Sequence, residues 1–104
     1  MIQKLNKDNA EKIIKNTPRI VVKFGATWCG PCKMITPVLD TLSTERTDVT
    51  FAEIDMDECP ELFSEKQIKS VPTMIYFQDG IEARRCVGVK GKGEINLLID
   101  YYDI

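Results

Sequence analysis

Not one of the 104 residues is a histidine. That absence removes the commonest general base and the commonest metal-binding ring, so Cys-His hydrolysis and Cys2His2 zinc sites are both excluded. Long apolar runs are missing as well. The longest, Met74 to Phe77, is strand-sized, far short of the roughly 20 residues needed to span a bilayer. There is no basic block either: fourteen Lys and Arg against sixteen Asp and Glu give a net charge of −2, leaving nothing that would release counterions from a phosphate backbone. Neither nucleic acid nor a membrane is an expected partner. The opening MIQKLNKDNAEKII carries charges at Lys4, Lys7, Asp8, Glu11 and Lys12 and no apolar segment of the signal-peptide kind, so the reading is of a cytosolic protein.

What the chain does have is four cysteines, Cys29, Cys32, Cys59 and Cys86. A chain of this length is expected to form one domain over residues 1–104, burying about two thirds of the surface its unfolded form exposes, so no disulfide staple is needed. In a reducing compartment the cysteines argue for redox or metal chemistry rather than a framework. Two of them stand three apart in Thr27-Trp28-Cys29-Gly30-Pro31-Cys32-Lys33, with a turn-forming Gly-Pro pair between.

Periodicity switches between strand and helix types every 8 to 15 residues, the pattern of a mixed α/β domain without repeats or linkers. A short strand is expected at Ile2 to Leu5. Asp8-Asn9-Ala10-Glu11 resembles a capping box opening a helix toward Asn16, which Pro18 ends. Ile20 to Phe24 is β-branched and bounded by Pro18 and Gly25, as a buried central strand would be. After it, Ile35, Val38, Leu39 and Leu42 make a helical stripe running to about Glu45; Pro31 suits the first turn and Pro37 should kink the helix. Val49 to Ile54 is the next strand, and strand-helix-strand in that order implies a right-handed crossover and a parallel pair. A short helix is expected near Pro60 to Lys66. Thr73 to Phe77 and Ile81 to Val87 flank an Asp79-Gly80 hairpin turn. Ile95, Leu98, Ile99 and Tyr102 close the chain at helical spacing and read as core contacts.

The spacing puts Cys29 between a strand and a helix, where unpaired N–H groups carry about half a positive charge and stabilise a thiolate. Because the thiolate is the attacking species, an accessible sulfur there is reactive at neutral pH. Cys32, one turn further in, should face the interior within reach of a mixed disulfide on Cys29. Such a two-electron exchange needs no bound cofactor. A metal would require two further ligands, yet Cys59 and Cys86 are single and far apart in sequence, so no metal site is expected. A purely structural Cys29-Cys32 disulfide closes too short a loop to constrain the unfolded chain much.

The Trp28-Cys29-Gly30-Pro31-Cys32-Lys33 motif, Val71-Pro72-Thr73 before a strand, and Val87-Gly88 after the hairpin together resemble the thioredoxin family over essentially the whole chain. The resemblance implies a central mixed β-sheet flanked by helices on both faces, Cys29 as nucleophile and Cys32 as resolving thiol. It further implies a monomer that reduces disulfides in target proteins and is itself reduced by thioredoxin reductase. Val71-Pro72 is then expected to be cis beside Cys29. Trp28, Gly30, Pro31, Val71, Pro72, Gly88 and Val89 would form a shallow apolar groove where the backbone of Val71 pairs with an extended substrate segment. Two rivals stand beside this reading: a thiol oxidase or isomerase, and a rigid thioredoxin-fold subunit of a larger complex whose thiols are incidental.

One departure from the family pattern matters. Where that pattern places a buried Asp six residues before the first cysteine this chain has Lys23, and where it places a Lys in the next strand this one has Glu53. Three readings remain open. Lys23 as a cation favours thiolates, by roughly 2 to 3 kcal/mol at about 6 Å and an effective dielectric near 20, before Glu53 offsets it. Alternatively the neutral amine, or Glu53 through a water, takes the proton of Cys32. Or the two form a satisfied ion pair to which the cysteines are indifferent. Of the remaining cysteines, Cys59 sits among acidic residues that oppose its ionisation, and Cys86 alternates onto the face of Glu82 and Arg84, which suggests partial exposure on an edge strand.

Overall fold

The computed structural model describes residues 2–100. Among them run β1 (Gln3–Lys4), α1 (Ala10–Asn16), β2 (Arg19–Gly25), α2 (Gly30–Glu45), β3 (Thr50–Asp55), α3 (Pro60–Glu65), β4 (Thr73–Gln78), β5 (Ile81–Val87) and α4 (Lys92–Asp100). The sheet order is β1-β3-β2-β4-β5, with β1, β3 and β2 parallel and β4 and β5 antiparallel to their neighbours. β2 thus lies at the centre, and α2 is the crossover that the strand-helix-strand order requires.

Alternation along β2 decides the layering, because successive strand residues face opposite ways. Ile20, Val22 and Phe24 pack with Ile54, Ile75 and Phe77 under Ile14 of α1 and Leu62 and Phe63 of α3. Val21, on the other side, packs with Phe51, Met74 and Tyr76 under Ile35, Leu39 and Leu42 of α2 and Ile95, Leu98 and Ile99 of α4. Helices therefore cover both faces, and each fully buried aliphatic or aromatic side chain contributes about 1.5 to 3 kcal/mol. The same alternation turns Lys23 toward α2.

The hairpin turn carries left-handed backbone at both central residues, Asp79 at φ 53° and Gly80 at φ 82°, as a two-residue turn matched to the twist of its strands demands. Glycine is needed at Gly80 for a second reason: an added Cβ would lie 3.1 Å from the Cα of Lys15. Midway along β5 two adjacent arginines reach helices on opposite faces. Arg84 donates to the carbonyls of Leu98 and Ile99 at 2.6 and 2.8 Å, and Arg85 to the carbonyl of Lys66 at 2.9 Å, which ties β5 to α4 on one face and to the end of α3 on the other.

Two local expectations are revised. The Asp8–Glu11 capping box does not form. Asn9 is the N-cap without a side-chain cap bond, while Asn6 Oδ1 accepts from the N–H groups of Asp8 and Asn9 at 2.8 and 3.0 Å and Asn9 Oδ1 accepts from that of Asn6 at 2.8 Å. The reciprocal asparagine pair does the capping one turn earlier. Pro37 lies inside α2, which runs unbroken from Gly30 to Glu45 with that ring on its exposed side. Cys86 is buried rather than half exposed. A register shift between Tyr76 and Phe77 pairs Arg84 with Tyr76 but Glu82 with Phe77, so the alternation that grouped Glu82 with Cys86 is broken by a bulge. Cys86 faces α4, packed with Met74 and Leu98. Tyr102 lies outside the described residues.

Candidate active site

The turn leaving β2 delivers Cys29 to the N-terminus of α2 as its N-cap, with Gly30 and Pro31 in the first turn, where a missing proline N–H costs nothing. Cys29 and Cys32 are joined as a disulfide, their Cα atoms 5.3 Å apart. The backbone N–H of Cys32 donates to Cys29 Sγ at 3.2 Å. An unpaired helix donor is thus aimed at the sulfur that the sequence marks as the nucleophile, which favours negative charge there. Both sulfurs sit in a small apolar nest with Ala26, against Met56 and Val71. In this oxidised form Cys29 is 5% exposed and Cys32 1%.

The peptide bond between Val71 and Pro72 is cis, as the resemblance implies. The carbonyl oxygen of Val71 lies 3.8 Å from Cys29 Sγ, and Gly88, at φ 95°, donates its N–H to the carbonyl of Pro72 at 2.9 Å. Three expected groove residues, Val71, Pro72 and Gly88, are therefore drawn together with Cys29 from three separate segments. Trp28 stands 64% exposed beside them and Val89, one residue past Gly88, 44% exposed; Gly30 and Pro31 are exposed at the helix start and Pro72 is buried. Large apolar side chains left in water next to a reactive centre suit contact with another molecule.

Behind the disulfide, Lys23 and Glu53 are directly opposed in the β2–β3 register and form an ion pair at 3.1 Å. Lys23 Nζ also donates to Thr36 Oγ1 at 2.8 Å and to the carbonyl of Cys32 at 3.3 Å. The swapped charges thus meet, and they meet at Cys32. Two participants had not been singled out from sequence. Thr36 lies four residues after Cys32, one helical turn along the same face, a spacing that could have marked it. Gly25 provides room: a Cβ there would stand 3.2 Å from Cys32 Sγ and 3.4 Å from Lys23 Cε.

The other two cysteines do not converge on this site. Cys59 belongs to the core beneath α1 and α3 and Cys86 to that beneath α2 and α4, so the sheet separates them. Burial, reinforced by Glu58, Glu61, Asp55 and Asp8, pushes the Cys59 thiol up, and burial pushes Cys86 up to about 11. Among the described residues no group of three or more His, Cys, Asp or Glu side chains could hold a metal ion, and no helix is long and apolar enough to cross a membrane.

Comparison with known proteins agrees with this geometry. The family model described as Thioredoxin matches residues 1–101. Thioredoxin of Mycobacterium tuberculosis is 46% identical over 87 residues, 83% of this chain and 75% of that one. Thioredoxin of Chlamydia trachomatis is 40% identical over 100 residues, 95% of this chain and 96% of its own. The bifunctional thioredoxin reductase/thioredoxin of Mycobacterium leprae is 47% identical over 96 residues, 91% of this chain but 20% of that protein. Among solved structures, a chain from work on the thiol resolving mechanism of yeast mitochondrial 1-Cys peroxiredoxin via glutathione/thioredoxin systems superposes with a TM-score of 0.84 at 33% identity. That match covers 95% of this chain and 94% of the other. The chain belongs to the thioredoxin family of thiol-disulfide oxidoreductases.

Proposed function

We propose that this chain, acting as one domain over residues 1–104, reduces disulfides of other proteins with Cys29 as nucleophile and Cys32 as resolving thiol. The observation that carries the assignment is the pair itself: two bonded sulfurs at a helix N-terminus, one of them receiving a backbone N–H at 3.2 Å. The Cys29 thiolate attacks a sulfur of the target disulfide. A mixed disulfide forms, and the first target sulfur leaves with the electron pair and takes a proton from water. Cys32 as thiolate then attacks Cys29 Sγ, the bond to the second target sulfur breaks, and that sulfur departs likewise. Two electrons pass to the target and the Cys29-Cys32 bond is restored.

Trp28, Val71, Pro72, Gly88 and Val89 form the docking groove in this reading, with Gly30 and Pro31 shaping its floor. The half-buried Val71, whose carbonyl lies 3.8 Å from Cys29 Sγ, suits backbone pairing with an extended target segment. Thioredoxin reductase is the proposed electron donor, supported by the M. leprae relative whose name joins both activities in one chain. The proposed setting is the cytoplasm and the proposed state a monomer; the buried, unpaired Cys59 and Cys86 suit a reducing compartment.

Insulin reduction with a thioredoxin reductase and its electron donor tests the activity. Cys32→Ser tests the roles: a target protein trapped on Cys29 as a mixed disulfide is expected. Partner binding retained without any trapped adduct would instead identify a scaffold. The buried cation Lys23 favours one second reading, a more oxidising protein that forms or isomerises disulfides, for which oxidation of a reduced substrate outpaces insulin reduction.

A further inference from the structure

Lys23 is the one charged side chain buried among the described residues, at 6% exposure. Its nitrogen is ringed by oxygen: Thr36 Oγ1 at 2.8 Å, Glu53 Oε1 at 3.1 Å and the carbonyl of Cys32 at 3.3 Å. An ammonium has three N–H groups and no lone pair. Its three N–H groups match these three oxygens, and an ammonium so held has no lone pair to take a proton from a thiol. The Thr36 hydroxyl can donate as well as accept, but the Glu53 carboxylate at 3.1 Å and the Cys32 carbonyl at 3.3 Å can only accept, and the negative charge facing the nitrogen favours the ammonium over a neutral amine as the form that meets Cys32.

The cation stands close to the sulfur. Cys32 Sγ and Lys23 Cε flank the same small gap over Gly25, 3.2 and 3.4 Å from the point a Cβ would occupy. A cleft of about 310 Å³ runs beside them, and its charged lining comes from every neighbouring element: Lys4 of β1, Lys23 of β2, Lys33 of α2, Glu53 and Asp55 of β3, and Glu58 beyond it. Three cations and three anions cancel in sum. The field at Cys32 Sγ is then decided by proximity and dryness, because water screens exposed charges. Lys23, with its side chain 8% exposed against 18% for Glu53, is the drier partner of its pair and the one bonded to Cys32 itself.

We propose that Lys23 is a positioning residue for disulfide exchange: a fixed ammonium that holds Cys32 as thiolate, so the resolving attack needs no proton acceptor and the reduced pair is favoured. This rests on the reading of Cys32 as the resolving thiol. In the resolving step the Cys29–Cys32 bond forms and the bond between Cys29 and the target sulfur breaks. The electron pair leaves on the target sulfur, which takes its proton from water.

The test compares the parent with Lys23→Met and Glu53→Gln, all in the full chain. Two quantities are read: the redox equilibrium against dithiothreitol, and the pH midpoint of Cys32 thiolate absorbance in a Cys29→Ser background, where the buried Cys59 and Cys86 stay protonated at neutral pH. Lys23→Met should shift the redox equilibrium about tenfold toward the disulfide, about 30 mV more negative for a two-electron couple, and raise the thiolate midpoint. Glu53→Gln, which removes the opposing charge, should move both quantities the other way. Opposite signs are not expected from a general loosening of the fold. Unchanged values, or shifts of one sign in both variants, overturn the proposal. Should Lys23→Met fail to fold, Glu53→Gln decides alone: a less negative potential with a lower midpoint supports it, anything else refutes it. An inactive parent overturns the reading of Cys32, whereas an active parent whose variants keep its potential overturns only the role of Lys23.

Discussion

Replacing Gly25 by alanine is expected to harm the oxidised protein more than the reduced one. The new methyl group would stand 3.2 Å from Cys32 Sγ, 3.4 Å from Cys32 Cβ and 3.4 Å from Lys23 Cε, so something must move by a few tenths of an ångström. Lys23 is pinned by three oxygens. Cys32 is fixed in the first turn of α2 and, when oxidised, bonded to Cys29 as well. Overpacking of this kind costs about 1 to 3 kcal/mol. For a domain of this size each kcal/mol lowers Tm by about 4 to 8 °C. In the reduced protein the Cys32 sulfur is free to turn aside, so part of that strain is relieved. Thermal melting of both redox states should therefore show the larger drop in the oxidised form. The difference should reappear as an easier reduction, about 30 mV for every 1.4 kcal/mol. Equal drops in the two states, or none in either, would refute the claim that Gly25 exists to make room for this sulfur.

Three further expectations follow from the packing. Arg84→Met removes two bonds from a charged donor to the Leu98 and Ile99 carbonyls of α4 and the guanidinium lying 5.4 Å from the centre of the Tyr76 ring. The loss should be about 1.5 to 3 kcal/mol and show first as faster amide exchange in α4; uniform exchange changes across the sheet would count against it. Cys59 and Cys86 have thiols raised by burial, Cys86 to about 11, so they remain protonated and covered at neutral pH. Alkylation of the reduced native protein followed by mass spectrometry should find Cys29 modified and these two intact until denaturant is added. Asp48 is held by Arg46 and Arg19 at 2.9 and 2.7 Å, with Arg46 chiefly responsible for lowering its carboxyl from 3.8 to about 2. A depressed carboxyl stabilises the fold above its unfolded value and loses that contribution as pH falls through its folded value. The Tm difference between the parent and Asp48→Asn should hold steady near neutrality and close as pH drops from about 4 toward about 2; a gap that widens in acid would reverse the sign of this argument.

Much of the fold was legible because its signals are local. The β-branched run at Ile20–Phe24 and the helical stripe of Ile35, Leu39 and Leu42 each state their periodicity within one element, and Asp79-Gly80 supplies the left-handed residues its turn requires. What failed was local rules applied across an irregularity. Cys86 was misplaced because one bulge between Glu82 and Arg84 reverses the alternation, and nothing in the strand's composition announces a bulge. Asp8 lost the cap to the Asn6–Asn9 pair because several neighbouring side chains were chemically able to do the same task.

The sequence by itself determined the chemistry: no histidine, two cysteines three apart around Gly30-Pro31, and a lysine and a glutamate at alternating positions of two buried strands. Residue type and spacing along one chain suffice for that, since a thiolate pair needs only a helix start and one turn between its sulfurs. The tertiary structure decided which groups surround the pair. Val71 reaches Cys29 and Thr36 and Glu53 reach Lys23 only because parallel β2 and β3 lie side by side, α2 packs over them, and the Val71-Pro72 turn closes from the far side. Such contacts join residues far apart in sequence. Their distances depend on sheet register and helix packing, which no window of residues encodes.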